Sequence, residues 1–338
     1  LDREEVYSYQ ELSDEGSKRF KELFDLGVHS NFESLIDTIE SDDYPKLKNL
    51  ISSELMQELL KNNTDDSFNI KPLIYDFTTI IGYEAAYEDA LKNFSNPKMK
   101  ALAQTYTINQ EFARDIAKAD TTKVELLGNL CSEDNFKKLI ERGILKSSDV
   151  RELIYFTNPQ LLNLQKVFTN REFAYAFENF NIDSNILYEL SSGDENYDFD
   201  KTIKLINNPA IQNLEQQGLV KFSQCCTTLS HLSDENIDNI DSLIKSAEKL
   251  RAEFKKQYEL YDELYEDIEF QSDDSSEVDD FFNSNYALIM KICAQHSEEN
   301  AKTLIKRSDF DVRNLNVYSK IPDSEIANLY KIEDQVEY

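Results

Sequence analysis

Apolar residues in this chain recur at every third or fourth position and hardly at every second, which is the spacing of one helix face rather than of a half-buried strand. The turn residues agree: 7 Gly and 6 Pro in 338 residues leave few places for tight hairpins. The expected class is all-α. With 40% hydrophobic residues the chain can bury substantial cores, which excludes disorder throughout.

Asp and Glu number 65 against 36 Lys and Arg, a formal charge of -29. Such a field repels phosphate backbones and anionic lipid headgroups, so neither nucleic acid nor membrane is an expected partner. It suits solubility, and it suits steering toward a partner protein with a basic surface. No run approaches the roughly 18 apolar residues of a membrane span. Residues 1 to 14 are acidic where a secretory leader would be basic and then apolar, and a first residue other than Met leaves an upstream segment open. Cys131, Cys225, Cys226 and Cys293 form no CxxC pair, and the adjacent Cys225 and Cys226 are poorly placed to bridge each other. They read as small core residues of a reducing compartment, and the expected location is cytoplasmic. Asn62 and Asn93 head N-x-S/T triplets, which an Asn-rich chain yields by chance.

Two punctuation signals recur. In the first, an apolar pair precedes Asn-Pro and another apolar pair follows: Leu91, Phe94, Asn96, Pro97, Met99, Leu102; then Leu153, Phe156, Asn158, Pro159, Leu161, Leu164; then Ile203, Ile206, Asn208, Pro209, Ile211, Leu214. This pattern predicts a helix ending on a buried stripe, an Asn that caps the next helix, and Pro at its first position, where a missing N–H costs nothing. Ile39, Tyr44, Pro45, Leu47 and Leu50 make a fourth copy without the Asn. In the second signal an apolar stripe runs into an acidic, Asn-ended turn, at residues 126–135, 186–196, 228–236 and 288–300. Leu130, Leu190, Leu232 and Ile292 hold one position in it, at separations of 60, 42 and 60 residues. Periods of this size predict stacked supersecondary units, each unable to bury its own apolar face.

The stretch from Leu127 to Asn158 resembles an armadillo repeat. GNLCSEDN closes one unit, Phe136 to Gly143 supplies a short helix, Ile144 to Phe156 the following helix, and Asn158-Pro159 opens the next unit. Gly143 before Ile144 matches the sharp turn between helices of that family. The other copies follow this unit in outline over about Leu35 to Lys306. The resemblance implies an irregular armadillo- or HEAT-like right-handed superhelix whose third helices line a concave groove. Peptide-binding members carry Trp and Asn ladders in that groove. Here Asn129 takes the ladder-type position, Glu189, His231 and Lys291 stand in later copies, and the chain has no Trp, so recognition of basic peptides by such ladders is not expected.

Ile240, Leu243, Ala247, Leu250, Phe254, Tyr261, Leu264 and Ile268 alternate three- and four-residue steps, predicting a helix of about 30 residues with a narrow apolar seam. Ser233 is placed to cap the start of this region. The seam suits a terminal cap for the array or self-association through residues 240–268. Along its end Tyr258, Tyr261 and Tyr265 interleave with Glu259, Glu263 and Glu266, a surface able to bury aromatic anchors while attracting Lys or Arg. The predicted organisation is therefore a helical cap over 1–34, a repeat array over 35–239, the amphipathic helix over 240–270, an acidic flexible loop over 271–280, and a C-terminal helical repeat or cap over 281–338.

Enzymatic signatures are weak. Asp273, Asp274 and Glu277 form a DDxxE string, but it lies in a Ser-rich stretch with no Lys or Arg between Lys256 and Lys291 to hold a diphosphate. His29, His231 and His296 stand apart, outside any metal-ligand spacing, and read as exposed turn residues. Seven dispersed glycines build no phosphate-cradling loop. The expected function is a non-enzymatic scaffold or adaptor with no cofactor, binding a protein through a groove that includes Asn129 and His231, or through the acidic aromatic helix. An acidic decoy that mimics nucleic acid is the alternative, and a helical enzyme the third.

Overall fold

A computed structural model describes residues 12–29, 35–62, 71–106, 109–191, 198–264, 283–305 and 315–326. Every regular element among them is helical. None of these helices is long and apolar enough to cross a membrane. The chain divides into two units, Leu1–Arg171 and Glu172–Tyr338, with a boundary inside the span that periodicity assigns to a single array. The 271–280 loop, its DDxxE string, Tyr265, Glu266 and Ile268 lie outside the described residues.

In the first unit the helices are α1 (Asp14–Asp25), α2 (Ile36–Glu40), α3 (Tyr44–Ile51), α4 (Glu54–Asn62), α5 (Lys71–Ile80), α6 (Glu84–Phe94), α7 (Pro97–Thr105), α8 (Gln110–Lys118), α9 (Thr121–Ser132), α10 (Asp134–Glu141), α11 (Ser147–Glu152) and α12 (Asn158–Phe168). The residues that start and stop them can be named. Asn96 accepts from the Lys98 N–H at 2.9 Å and Pro97 opens α7, as the Asn-Pro signal predicts. At the second copy the prediction is one residue out. Thr157, not Asn158, caps α12, because Thr157 and Gln160 form a capping box in which the Thr157 N–H reaches Gln160 Oε1 at 2.9 Å. The stretch from Ile144 to Phe156 is likewise not one helix but α11 followed by a 3-10 turn at Leu153–Tyr155.

Glycine terminates helices where a left-handed residue is required. Gly143 has φ 71°, its N–H reaches the Ile140 carbonyl at 2.8 Å, and the Ile144 N–H reaches the Leu139 carbonyl at 2.9 Å. This is the Schellman ending, which satisfies carbonyls that the last helical turn leaves open. The core behind these ends is aliphatic with edge-to-face phenylalanine pairs, Phe77 on Phe94 at 5.3 Å and Phe136 on Phe168 at 5.4 Å between centroids.

The second unit contains α13 (Ala174–Asn179), α14 (Ile186–Ser191), α15 (Phe199–Ile206), α16 (Pro209–Gln216), α17 (Phe222–Thr227), α18 (Asp234–Asp238), α19 (Ile240–Leu264), α20 (Tyr286–Gln295), α21 (Glu298–Ile305) and α22 (Leu315–Tyr318). Asn208 caps α16 through the Ala210 N–H at 2.8 Å with Pro209 at the first position, and Ser233 caps α18 through the Asn236 N–H at 3.2 Å. Phe222 packs beneath the rings of Phe173, Phe177 and Phe180.

Helix α19 is described from Ile240 to Leu264, and the rest of the predicted helix lies outside the described residues. Ile240, Leu243, Ala247 and Leu250 are buried, and α20 covers this part of the helix with Tyr286, whose hydroxyl donates to Glu248 Oε1 at 2.7 Å. Self-association through the first half of this seam is thus excluded unless the unit unpacks. His296 is a further correction. It is no exposed turn residue: its side chain has 0% exposure, and its ring nitrogens lie 3.3 Å from Asp323 Oδ1 and 3.3 Å from the Tyr318 carbonyl. Asp323 also accepts from Asn300 Nδ2 at 2.7 Å, and these donors hold its carboxyl below the usual range despite some desolvation.

The two units repeat one sequence of local devices. Asp120 caps α9 through the Lys123 N–H at 3.0 Å, and Asp198 caps α15 through the Lys201 N–H at 3.1 Å. The same lysines then cross to a carbonyl 31 residues on, Lys123 Nζ to Ile154 at 3.2 Å and Lys201 Nζ to Leu232 at 2.9 Å. Left-handed Gly143 and Gly218 follow, then the Lys146 N–H on Asp149 Oδ2 at 2.7 Å and the Lys221 N–H on Gln224 Oε1 at 2.9 Å. A 3-10 turn comes next in each, Leu153–Tyr155 and Leu229–His231, before the hydroxyl caps Thr157 and Ser233.

In the first unit Asp76 on α5 is the most strongly held carboxylate, bonded to Arg114 and, at 2.9 Å, to Lys118, both on α8. Desolvation pushes its pKa up, but the two cations prevail and leave it below the ordinary value. A depressed carboxyl contributes stability above its unfolded pKa and loses it as pH falls through the folded one. Urea unfolding of the wild-type chain should therefore show a steeper fall in stability from pH 5 to pH 3 than Asp76→Asn, while at pH 7 the variant is the less stable of the two.

Candidate functional site

Helices α6, α7 and α9 enclose an open pocket of about 410 Å³, lined by Lys92, Asn96, Pro97, Lys98, Thr121, Glu125 and Asn129. Its geometry follows from three local decisions. Asn96-Pro97 turns the chain from α6 into α7 and leaves Lys92 and Lys98 on either side of the corner. Asp120 starts α9, so that Thr121, Glu125 and Asn129, four residues apart, fall along one face. Gly128 lets α9 approach α7 closely: a Cβ there would lie 3.0 Å from Lys98 Cβ and 3.0 Å from Met99 Cε.

Three buried or half-buried bonds, from Thr121 and Asn93, register the walls. Thr121 Oγ1 donates to Asp89 Oδ1 on α6 at 2.9 Å. Asn93, fully buried, donates its amide hydrogens to the Ile116 carbonyl at 2.9 Å and the Ala119 carbonyl at 2.8 Å. Ala119 directly precedes the α9 cap, so this amide ties the end of α6 to the start of α9. Asn93 is consequently no glycosylation acceptor.

Inside the pocket Lys98 Nζ donates to Asn129 Oδ1. One lone pair of the amide oxygen is thereby used, and both hydrogens of the Asn129 NH2 group are left for a ligand. Among the described residues neither Lys92 nor Lys98 is paired with a carboxylate. Glu125 supplies the one carboxylate of the lining. The set offers ammonium and amide donors, the Thr121 hydroxyl and a single carboxylate.

Of the residues that the sequence offers for partner binding, Asn129 alone lies in this pocket, beside the Asn96-Pro97 corner of the capping signal. His231 is exposed, at the last position of a 3-10 turn, whereas Asn129 is in the middle of α9, so the two are not equivalent. The first-unit counterpart of His231 is Tyr155, 70% exposed and donating to Asp115 Oδ2 at 2.7 Å. Tyr258, Glu259, Tyr261 and Glu263 fall on the last turns of α19, and Tyr265 and Glu266 lie outside the described residues. Lys92, Lys98, Thr121 and Glu125 carry no sequence signal of their own: the packing of α6 and α7 against α9 brings the two lysines to the face that Thr121 and Glu125 share with Asn129.

Other chemistry finds little footing. Burial pushes the Cys225 and Cys293 thiols up to about 12 and Cys131 higher still, far from a reactive thiolate. Among the described residues no group of three or more His, Cys, Asp and Glu side chains is placed to hold a metal ion.

Gly128→Leu should destabilise the chain by about 1–3 kcal/mol through overpacking against Lys98 and Met99, measured by urea unfolding. An unchanged midpoint would show that the α7–α9 crossing tolerates a side chain.

No protein-family model matches the chain, no curated protein matches it, and no solved structure matches it.

Proposed function

We propose that this protein is a non-enzymatic scaffold, cytoplasmic in location, built of armadillo-like stacked helices, and that its first unit binds a segment of a partner protein at the Asn129 pocket. The observation that carries this reading is the pocket's chemistry. An amide oriented by Lys98, two ammonium groups, a hydroxyl and a carboxylate line an open recess on three helices. Such groups match the backbone and charged side chains of a peptide, and rigid helices lose little entropy when a segment docks. The repeated order of caps, glycine turns and cross-chain lysines in the two units supports the stacked-repeat architecture.

Affinity capture from native lysate with the full chain tests this. Asn129→Ala should lose a protein that the wild type retains, whereas Glu259→Lys with Glu263→Lys, on the distal end of α19, should keep it. If the alanine variant retains the same proteins as wild type, the pocket is not the binding surface.

A further inference from the structure

Resting on that reading, we infer that the pocket takes a mixed-charge peptide motif: one anionic side chain, a carboxylate or a phosphoryl group, held between Lys92 and Lys98, next to a Lys or Arg that faces Glu125. The lining carries two ammonium groups and one carboxylate, all on one recess of about 410 Å³. Lys98 Nζ donates to Asn129 Oδ1, which leaves the Asn129 NH2 group as a further donor of the lining. Lys92 and Lys98 are both exposed, so an oxyanion reaches either ammonium without burying it, and the charge-assisted hydrogen bond it makes there is roughly twice as strong as a neutral one.

The rest of the chain selects which anions can arrive. With a formal charge of -29, the protein repels polyanions such as nucleic acids or acidic membranes at long range. A single anionic group on a segment with neighbouring cations escapes that repulsion. The flanking cation is drawn by the net field and by Glu125, while the anion finds the local excess of ammonium groups. The expected ligand is thus an extended peptide in which Glu, Asp or a phosphorylated residue is adjacent to Lys or Arg, rather than an acidic run or a basic run.

The full-length chain is applied to arrayed nine-residue peptides with a central Glu, phosphoserine, Gln or Lys and randomised flanks. Glu- or phosphoserine-centred peptides with an adjacent Lys or Arg should be retained, and the choice between those two centres identifies the carboxylate or the phosphoryl source. Lys92→Gln with Lys98→Gln should weaken retention at least tenfold, Glu125→Gln should remove the preference for a flanking cation, and Lys166→Gln, at an exposed position of α12, should change nothing. Circular dichroism confirms that each variant folds. Equal retention of Gln or Lys centres, or an unaffected double lysine variant, overturns the inference. If peptides bind in an Asn129-dependent manner without any preference for an anion, the scaffold reading stands and this one fails. If no peptide of any class binds, both fail.

Discussion

The buried amide of Asn93 is the interaction on which the described site depends. The last carbonyls of a helix have no partners of their own, and those at the end of α8 lie in the interior, where leaving one unpaired costs about 1–3 kcal/mol. Asn93 satisfies two of them, Ile116 and Ala119, from a position on α6. Because Ala119 is followed at once by the Asp120 cap, the bond that completes α8 also sets where α9 begins relative to α6. The pocket is the gap left between those two helices and the α7 corner. Its volume and its Lys92–Asn129 lining are therefore consequences of helix-end chemistry rather than of a cleft between separate bodies.

The same solution recurs inside each unit. Asn135 donates to the Phe168 and Asn170 carbonyls at 2.9 and 3.0 Å, Lys123 to the Ile154 carbonyl, and Lys201 to the Leu232 carbonyl. Several helices here are only five to nine residues long, too short to be stable alone. Side chains that cross to the end of a later helix fix the stacking angle while apolar faces supply the bulk of the burial. This division of labour explains why Asn is abundant at turns: at Asn96 and Asn208 it caps, whereas at Asn93 and Asn135 it ties.

Much of the fold was legible from periodicity and caps. The all-helical class, the Asn96-Pro97 and Asn208-Pro209 starts, the Ser233 cap and the Gly143 turn all follow from local rules that need no partner. Errors arose where two local signals compete. Thr157 with Gln160 outbids Asn158 as a cap, and the 3-10 turn at Leu153–Tyr155 interrupts what spacing alone reads as one helix. The burial of His296 is not readable locally, because its hydrogen-bond partners, Asp323 and the Tyr318 carbonyl, are more than 20 residues away. The site was legible only at Asn129. Lys92, Lys98 and Glu125 look like ordinary solvated charges until α7 and α9 are paired, and Asn93 looked like a chance sequon.

The central claim, that the Asn93 amide positions α9 against α6, is tested most directly by amide hydrogen exchange on the full chain carrying Asn93→Leu, which keeps the branched heavy-atom shape of the side chain but removes both donors. The account predicts at least tenfold faster exchange over residues 119–124, with the second unit unchanged. Exchange indistinguishable from wild type across that stretch would contradict it.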